Sequence, residues 1–515
     1  MPGPSPAAGT AGVSTSRSGP LPIGWSILVN ALSVVVMTAA TYVTLPLSLH
    51  RLGPSAYGTW LLLNSAISFI PLLQAGLPTA AASVLARNMD RDHRLPPEEA
   101  AAARTVFSAS GGLVLLLAAG AGFLFSWKAP PSDVAPGTLR VASLCIAATL
   151  ALSIAQQANE AIAVAYERHL ARSALHSILA GVRVVSLVAA LTVSPTLLSL
   201  ALSQLGVAVV SYLAFAWLGH RLIATPWHER RWPHRDWIAA LGTDSWYVLL
   251  LSIGTQLATQ VTTLVLGHRF GAAAVPALAV PTALGTMAIS LSMAVSAALL
   301  PRVSRLAATG GQDAAQALTA LLFRLLIILG LVLAFALLAF GESLLAWWIS
   351  PAFAAAARPY FPCVAASFVL FLPVRSVLFP FELGRGSAGF ISWSFALIAT
   401  AGALGTILMP AAFGAPALAW VSALALLGYS AAMIVRLGRS VLFASGAAQL
   451  RFWVSWSGIV AIGLPLADLA HRQLRGSFPS VIPTVIGTCI AATLLLVLLF
   501  LGYDARRIGR GLTLR

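Results

Sequence analysis

This sequence has little acid. Only 15 of its 515 residues are Asp or Glu, against 31 Lys and Arg, and the four charged types together make up 9% of the chain. A soluble domain needs far more polar material to cover its outside, so that class is excluded. Cysteine is scarcer still. Cys145, Cys363 and Cys489 all fall in apolar stretches, which leaves no disulfide framework and no metal-ligand spacing. A Ser/His/Asp set, a carboxylate pair, a phosphate-binding glycine loop and a nucleotide motif are also missing, and the nine His sit mostly in loops or at span ends. The residues therefore give catalysis no support and imply no cofactor and no metal. The +16 formal charge suggests nucleic acid only where it gathers on one folded face. Here it is scattered between apolar segments, so topology explains it and no nucleic-acid partner is expected.

What is present is apolar: 59% of the residues are hydrophobic and the mean hydropathy is +0.89. That composition predicts an all-α polytopic membrane protein whose solvent is the lipid bilayer. At about 20 apolar residues per crossing, fourteen spans are expected, near residues 23–49, 57–84, 105–127, 139–165, 173–194, 197–219, 240–267, 274–300, 317–340, 360–381, 390–409, 416–435, 452–470 and 481–503. Charge tests this division. With the N-terminus inside, 21 of the 31 basic residues fall in segments on the cytoplasmic side, seven on the other side, and Arg183, Arg324 and Arg375 inside spans. A threefold bias places both termini in the cytoplasm and requires an even number of spans.

The stretch Thr44 to Asp90 sets the plan of the chain. His50-Arg51-Leu52-Gly53 is answered 218 residues later by His268-Arg269-Phe270-Gly271, and Arg87, beyond the next apolar run, is answered by Arg305 at the same interval. Such a repeat predicts two six-helix lobes, at 23–219 and 240–435, related by an axis along the membrane normal and enclosing a central cavity. A polar linker at 220–239 joins them. Residues 1–22 read as a disordered cytoplasmic tail, 452–503 as an appended helix pair, and 504–515 as a basic cytoplasmic tail.

The opening stretch carries Pro46-Leu47, Arg51-Leu52-Gly53, Tyr57-Gly58-Thr59-Trp60, Leu72-Leu73-Gln74-Ala75-Gly76-Leu77 and Leu85-Ala86-Arg87. Leu300-Pro301-Arg302-Val303-Ser304-Arg305-Leu306 and Ser350-Pro351-Ala352-Phe353 add to it. In these residues the chain resembles the Wzx-like oligosaccharide flippases, polysaccharide biosynthesis proteins of the MOP superfamily, whose layout is MATE-like. The resemblance implies an inner-membrane protein that moves undecaprenyl-pyrophosphate-linked oligosaccharide to the outer leaflet by alternating access, with a polysaccharide polymerase and other assembly proteins as further partners. Two departures stand out: Gln260-Val261-Thr262-Thr263 where relatives carry an acid, and Val275-Pro276-Ala277 where they carry a tyrosine. Both argue against ion coupling through that helix.

A lipid-linked oligosaccharide needs hydroxyl-pairing groups for its sugar, positive charge for its pyrophosphate and an apolar exit for its tail. Arg183 lies mid-span, where a charge costs about 2.5–3.5 kcal/mol unless it meets a cavity or a partner. Its planar fork suits phosphate. The alternative is a structural pair with Glu160. Arg375, flanked by Pro373 and Pro380, is a second phosphate candidate, and Arg51 and Arg87 are a third and fourth at the span ends. Gln156, Asn159 and Glu160 share one helical face and are expected either to line the cavity or to hold the fourth span to the fifth, with Glu160 also the ion-coupling candidate. Gln74 and Gln256 are further cavity-lining amides. Three other readings compete: a cation-coupled exporter, which would want acids at mid-span; an envelope glycosyltransferase or polymerase, which would want a large extramembrane loop; and a non-transporting scaffold, which the charges inside spans disfavour. Within the resemblance, a peptidoglycan-precursor flippase is the alternative.

Overall fold

The computed structural model describes residues 23–74, 76–89, 95–128, 134–223, 231–232, 235–308, 312–384, 388–438, 442 and 446–473. The two tails, the fourteenth expected span and much of the 220–239 linker lie outside them. The described residues are helical throughout, with no strand among them, as a chain in lipid requires when every backbone group must be satisfied internally.

The first lobe begins with α1 (Ile23–Ile67), which bends at Gly53. Gly53 has φ 77° and ψ 165°, a conformation that glycine adopts readily and that ends one crossing and starts the next. After a tight turn at Ile70–Gln74 come α2 (Leu77–Arg87), α3 (Pro97–Lys128), α4 (Pro136–Ala165), α5 (His169–Val193) and α6 (Leu197–Leu222). The second lobe follows the same order. Its α7 (Arg235–Phe270) turns at Gly271, with φ 86° and ψ 159°, into α8 (Val275–Ala308). Then come α9 (Gln312–Trp348) and one crossing built from α10 (Pro351–Ala357), α11 (Phe361–Val369), α12 (Phe371–Pro373), a π-helical turn at Val374–Leu378, and α13 (Phe379–Gly384). It ends with α14 (Ala388–Leu408) and α15 (Ala415–Leu437), and α16 (Gly446–Gln473) packs on α9.

The 218-residue interval extends well beyond the two corners. Gln312, Pro351, Ala388 and Ala415 open their crossings 215 to 219 residues after Pro97, Pro136, His169 and Leu197 open theirs. Ten described helices are long and apolar enough to cross a membrane, and they correspond to the third through twelfth expected spans. Two of the crossings differ from the single helices expected. The second is interrupted between Ile67 and Leu77, where Pro71 lacks a backbone donor and Gly76 takes φ 87°. The tenth is longer than 360–381 and carries the π turn, with Pro373 and Pro380 on either side of it.

The lobes meet along the two glycine corners. A Cβ on Gly58 would lie 1.8 Å from the Ala272 carbonyl oxygen, and one on Gly267 would lie 2.3 Å from a Leu62 methyl. Only glycine lets the two backbones come this close. Leu45 and Leu49 of α1 are buried in the core of the second lobe, and Tyr57 packs against the cores of both. Deeper in the seam, Gln256 Nε2 donates to the Ser68 carbonyl at 3.2 Å. Ser68 lies fifteen residues past Gly53 and Gln256 fifteen before Gly271, so this tie sits about 22 Å below the corners.

The seam predicts that Gly58→Ala lowers the melting temperature of the purified protein by an amount equivalent to about 1–3 kcal/mol of overpacking. Gly112→Ala, at an α3 position with nothing within 4 Å, is the control and should leave the melting temperature unchanged or raised.

Candidate functional site

Polar side chains of the first lobe converge where α4, α5 and α6 approach. Glu160 of α4 accepts from Arg172 Nε at 3.2 Å and lies 3.1 Å from His176 Nε2, both at its Oε2. Its Oε1 accepts from Gln156 Nε2 at 2.7 Å, and Gln156 Oε1 accepts from Ser211 of α6 at 2.6 Å. The His176 ring leans on Phe215, with centroids 4.9 Å apart. Next to Glu160 on α4, Asn159 Oδ1 accepts from Arg104 Nε of α3 at 3.3 Å. Gly219 of α6 makes room for that amide, since a Cβ there would lie 2.4 Å from Asn159 Oδ1. Gln156 and Asn159 are both buried. The stripe read as either cavity lining or glue between spans four and five therefore ties α4 to α3, α5 and α6.

Arg183 does not pair with Glu160. α4 and α5 run antiparallel from a short turn at 166–168, so Glu160, a few residues before the turn, meets residues a few after it. Those residues are Arg172 and His176. Arg183 is seven residues further along, about 10 Å, and its electrostatic neighbour is Tyr57 of α1. At about 100° per residue, Arg172, His176, Ala180 and Leu187 all lie within roughly 60° of Arg183 around α5, and all are buried or half-buried. The opposite face carries Ile178 and Val185, 63% and 69% exposed. Arg183 sits at the centre of the protein-facing side and is nevertheless exposed. A charge on that side of a mid-membrane helix needs an opening or a partner, and the group in electrostatic reach is Tyr57 of α1.

In the second lobe Arg375 stands on the π turn, half-buried, with its guanidinium carbon 5.1 Å from the centre of the Phe379 ring. It is in electrostatic reach of Tyr429, which is packed among Phe371 and Phe395. It turns into its lobe and does not snorkel to an interface. No described interaction joins Arg375 to Arg183. Arg51 is exposed at the first corner. Arg87 closes α2 and Gln74 closes the turn before it, but the side chains of both lie outside the described residues. Gln256, expected to line the cavity, is engaged with Ser68 across the seam.

Three residues of this region went unmarked in the sequence. Arg104 and Arg172 fell in the expected loops because α3 and α5 begin eight and four residues before the expected spans, and His176 carried no pattern of its own. No group of three or more His, Cys, Asp or Glu able to hold a metal occurs among the described residues.

The model of the polysaccharide biosynthesis protein family matches residues 23–307, more than half of the chain. The chain belongs to that family. Solved structures extend the likeness beyond the matched region. The lipid II flippase MurJ in an inward closed conformation superposes with a TM-score of 0.67 at 10% identity, covering 92% of this family member and 100% of the flippase. An inward-facing MATE-family multidrug transporter of the MOP superfamily gives 0.62 at 13% identity, covering 81% and 98%. A MATE transporter from Vibrio cholerae gives 0.59 at 15%, covering 81% and 96%. At these identities the likeness is one of fold. A search of curated proteins finds no match. This member of the polysaccharide biosynthesis family thus has the fold of MOP-superfamily membrane transporters.

Removing the Glu160 carboxylate tests how the polar network is held. Glu160→Ala leaves Arg172 and His176 without their shared acceptor and should cost about 1–2 kcal/mol, kept modest by the solvent around Arg172. Thermal melting of the purified variant reads this directly, and Glu160→Gln should recover most of the loss.

Proposed function

We propose that the protein is a flippase that carries polyprenyl-pyrophosphate-linked oligosaccharide from the cytoplasmic to the outer leaflet of the inner membrane, for cell-surface polysaccharide synthesis. The observation that carries this reading is Arg183: a fixed positive charge at mid-membrane, exposed on the protein-facing side of α5. A guanidinium there can donate two hydrogen bonds to a pyrophosphate. The family and the fold supply the rest of the frame, in which two lobes rock against each other and a solvated space between them shelters sugar and phosphate while the prenyl tail stays in lipid. In this reading Arg375 of the other lobe leaves the Phe379 ring to make the second phosphate contact. The bias of basic residues sets the orientation, with both termini cytoplasmic. No ATP is needed, since an ion gradient, the membrane potential or removal of product can drive net transport.

The alternative cargo is the peptidoglycan precursor, carried on the same fold that this chain shares with the solved lipid II flippase over 92% of its length. It is the same reaction on the same class of lipid pyrophosphate. Competition between the two head groups distinguishes them.

Proteoliposomes with a fluorescent polyprenyl-pyrophosphate oligosaccharide and a membrane-impermeant quencher test the proposal. Leaflet exchange should exceed that of empty vesicles and fall at least tenfold in Arg183→Ala, with folding intact. Exchange no faster than in empty vesicles, across several sugars and with an imposed ion gradient, rejects it. The seam provides a further test. Leu62→Cys with Gly267→Cys, in a background lacking the native cysteines, brings two thiols within disulfide reach. Oxidation should stop exchange and reduction restore it, because transport requires the lobes to part.

A further inference from the structure

We propose that Arg172, His176 and Arg183 form one anion track along the inner face of α5, and that the Glu160 carboxylate holds the lower two positions until a phosphate-bearing head group displaces it. This rests on the reading of Arg183 as a head-group contact and extends it toward the end of the helix from which the cargo would arrive.

The three basic groups lie on one line. His176 is four residues beyond Arg172 and Arg183 seven beyond His176, steps of about 6 and 10 Å, and all three point within roughly 20° of one direction. A pyrophosphate spans such intervals by passing from one donor set to the next. The lower pair is reachable: the Arg172 and His176 side chains keep 34% and 22% of their exposure, against 16% for Glu160. The helices make room for the path. α4 packs chiefly on α3 and α6, and α5 on α1 and α6, so the two diverge from their shared turn. The Glu160 contacts lie near the narrow end of that divergence and Arg183 further out.

The bonding at Glu160 is what a phosphate would copy. One carboxylate oxygen faces both Arg172 Nε and His176 Nε2, while the other accepts from Gln156. A phosphoryl oxygen offers the same two donors an acceptor with more charge and more lone pairs. A displaced Glu160 keeps its bond from Gln156, which Ser211 braces at 2.6 Å. Phe215 against the His176 ring fixes the direction of that donor throughout the exchange. Glu160 thus acts as a resident counter-ion that offsets the Arg172 charge while the track is empty and sets a threshold for weakly charged anions.

The test uses the full chain in nanodiscs, with inorganic pyrophosphate as one probe and a polyprenyl-pyrophosphate oligosaccharide in the lipid as the other. Glu160→Gln removes the competing charge and should tighten binding of both about tenfold. Arg172→Gln and His176→Gln should each weaken it about fivefold, with melting curves confirming that every variant is folded. Glu160→Gln binding like wild type or more weakly overturns the track, as do unchanged affinities in Arg172→Gln and His176→Gln. Binding of the inorganic probe alone overturns the head-group assignment. Arg183→Ala separates the two layers: if it leaves binding unaltered the flippase reading itself falls. If it weakens binding while the other three variants behave as wild type, only the track falls.

Discussion

Two glycine-cornered hairpins pressed backbone to backbone set the terms for everything else in the molecule. Because a Cβ at Gly58 would come within 1.8 Å of the Ala272 oxygen, the lobes touch main chain to main chain at this point. In lipid, such closeness is a principal source of helix association, since apolar side chains gain nothing by leaving an equally apolar solvent. The corners in turn fix the level of α1, α7 and α8, and with them the depth at which Gln256 meets Ser68 and Tyr57 meets Arg183. The position of the exposed charge is thus set by a contact between two backbones that lie 125 residues before it and 89 after it in sequence.

The two lobes show how a fold can persist while its chemistry drifts. Each crossing of the second lobe begins within a few residues of the place the first lobe dictates, because the thickness of the hydrocarbon fixes helix length whatever the side chains are. The polar groups obey no such constraint. The first lobe collects Glu160, Arg172, His176 and Arg183 around α5, whereas the second has Arg375 on a π turn among aromatic rings. The halves are alike as scaffolds and unlike as sites.

How much of this could be read from residues alone follows the same division. Hydropathy locates the crossings because burial in lipid acts on twenty residues at once, and the repeated corner was legible because Gly53 and Gly271 each need a backbone that few other residues tolerate. Arg183 announced itself through the cost of a charge at mid-membrane. Hydropathy failed where it averages: the polar first turns of α3 and α5 look like loop, which hid Arg104 and Arg172. Pro71 and Gly76 break a helix without making it less apolar. The partner of Glu160 was a matter of counting outward from the 166–168 turn, a geometric constraint that composition does not express. What no pattern supplied was the contact across the seam, because Gln256 reaches a carbonyl 188 residues away.

The interruptions of the two lobes fall in different crossings. The second crossing breaks near its middle while its counterpart α8 runs unbroken, and the tenth carries a π turn where its counterpart α4 is a continuous α-helix. Bending will concentrate where the hydrogen-bond ladder is already open, so each lobe yields at a place where the other is stiff. Despite its near-symmetric scaffold, the molecule is mechanically lopsided, and such a body has a preferred direction of flexing built into its backbone before any cargo arrives.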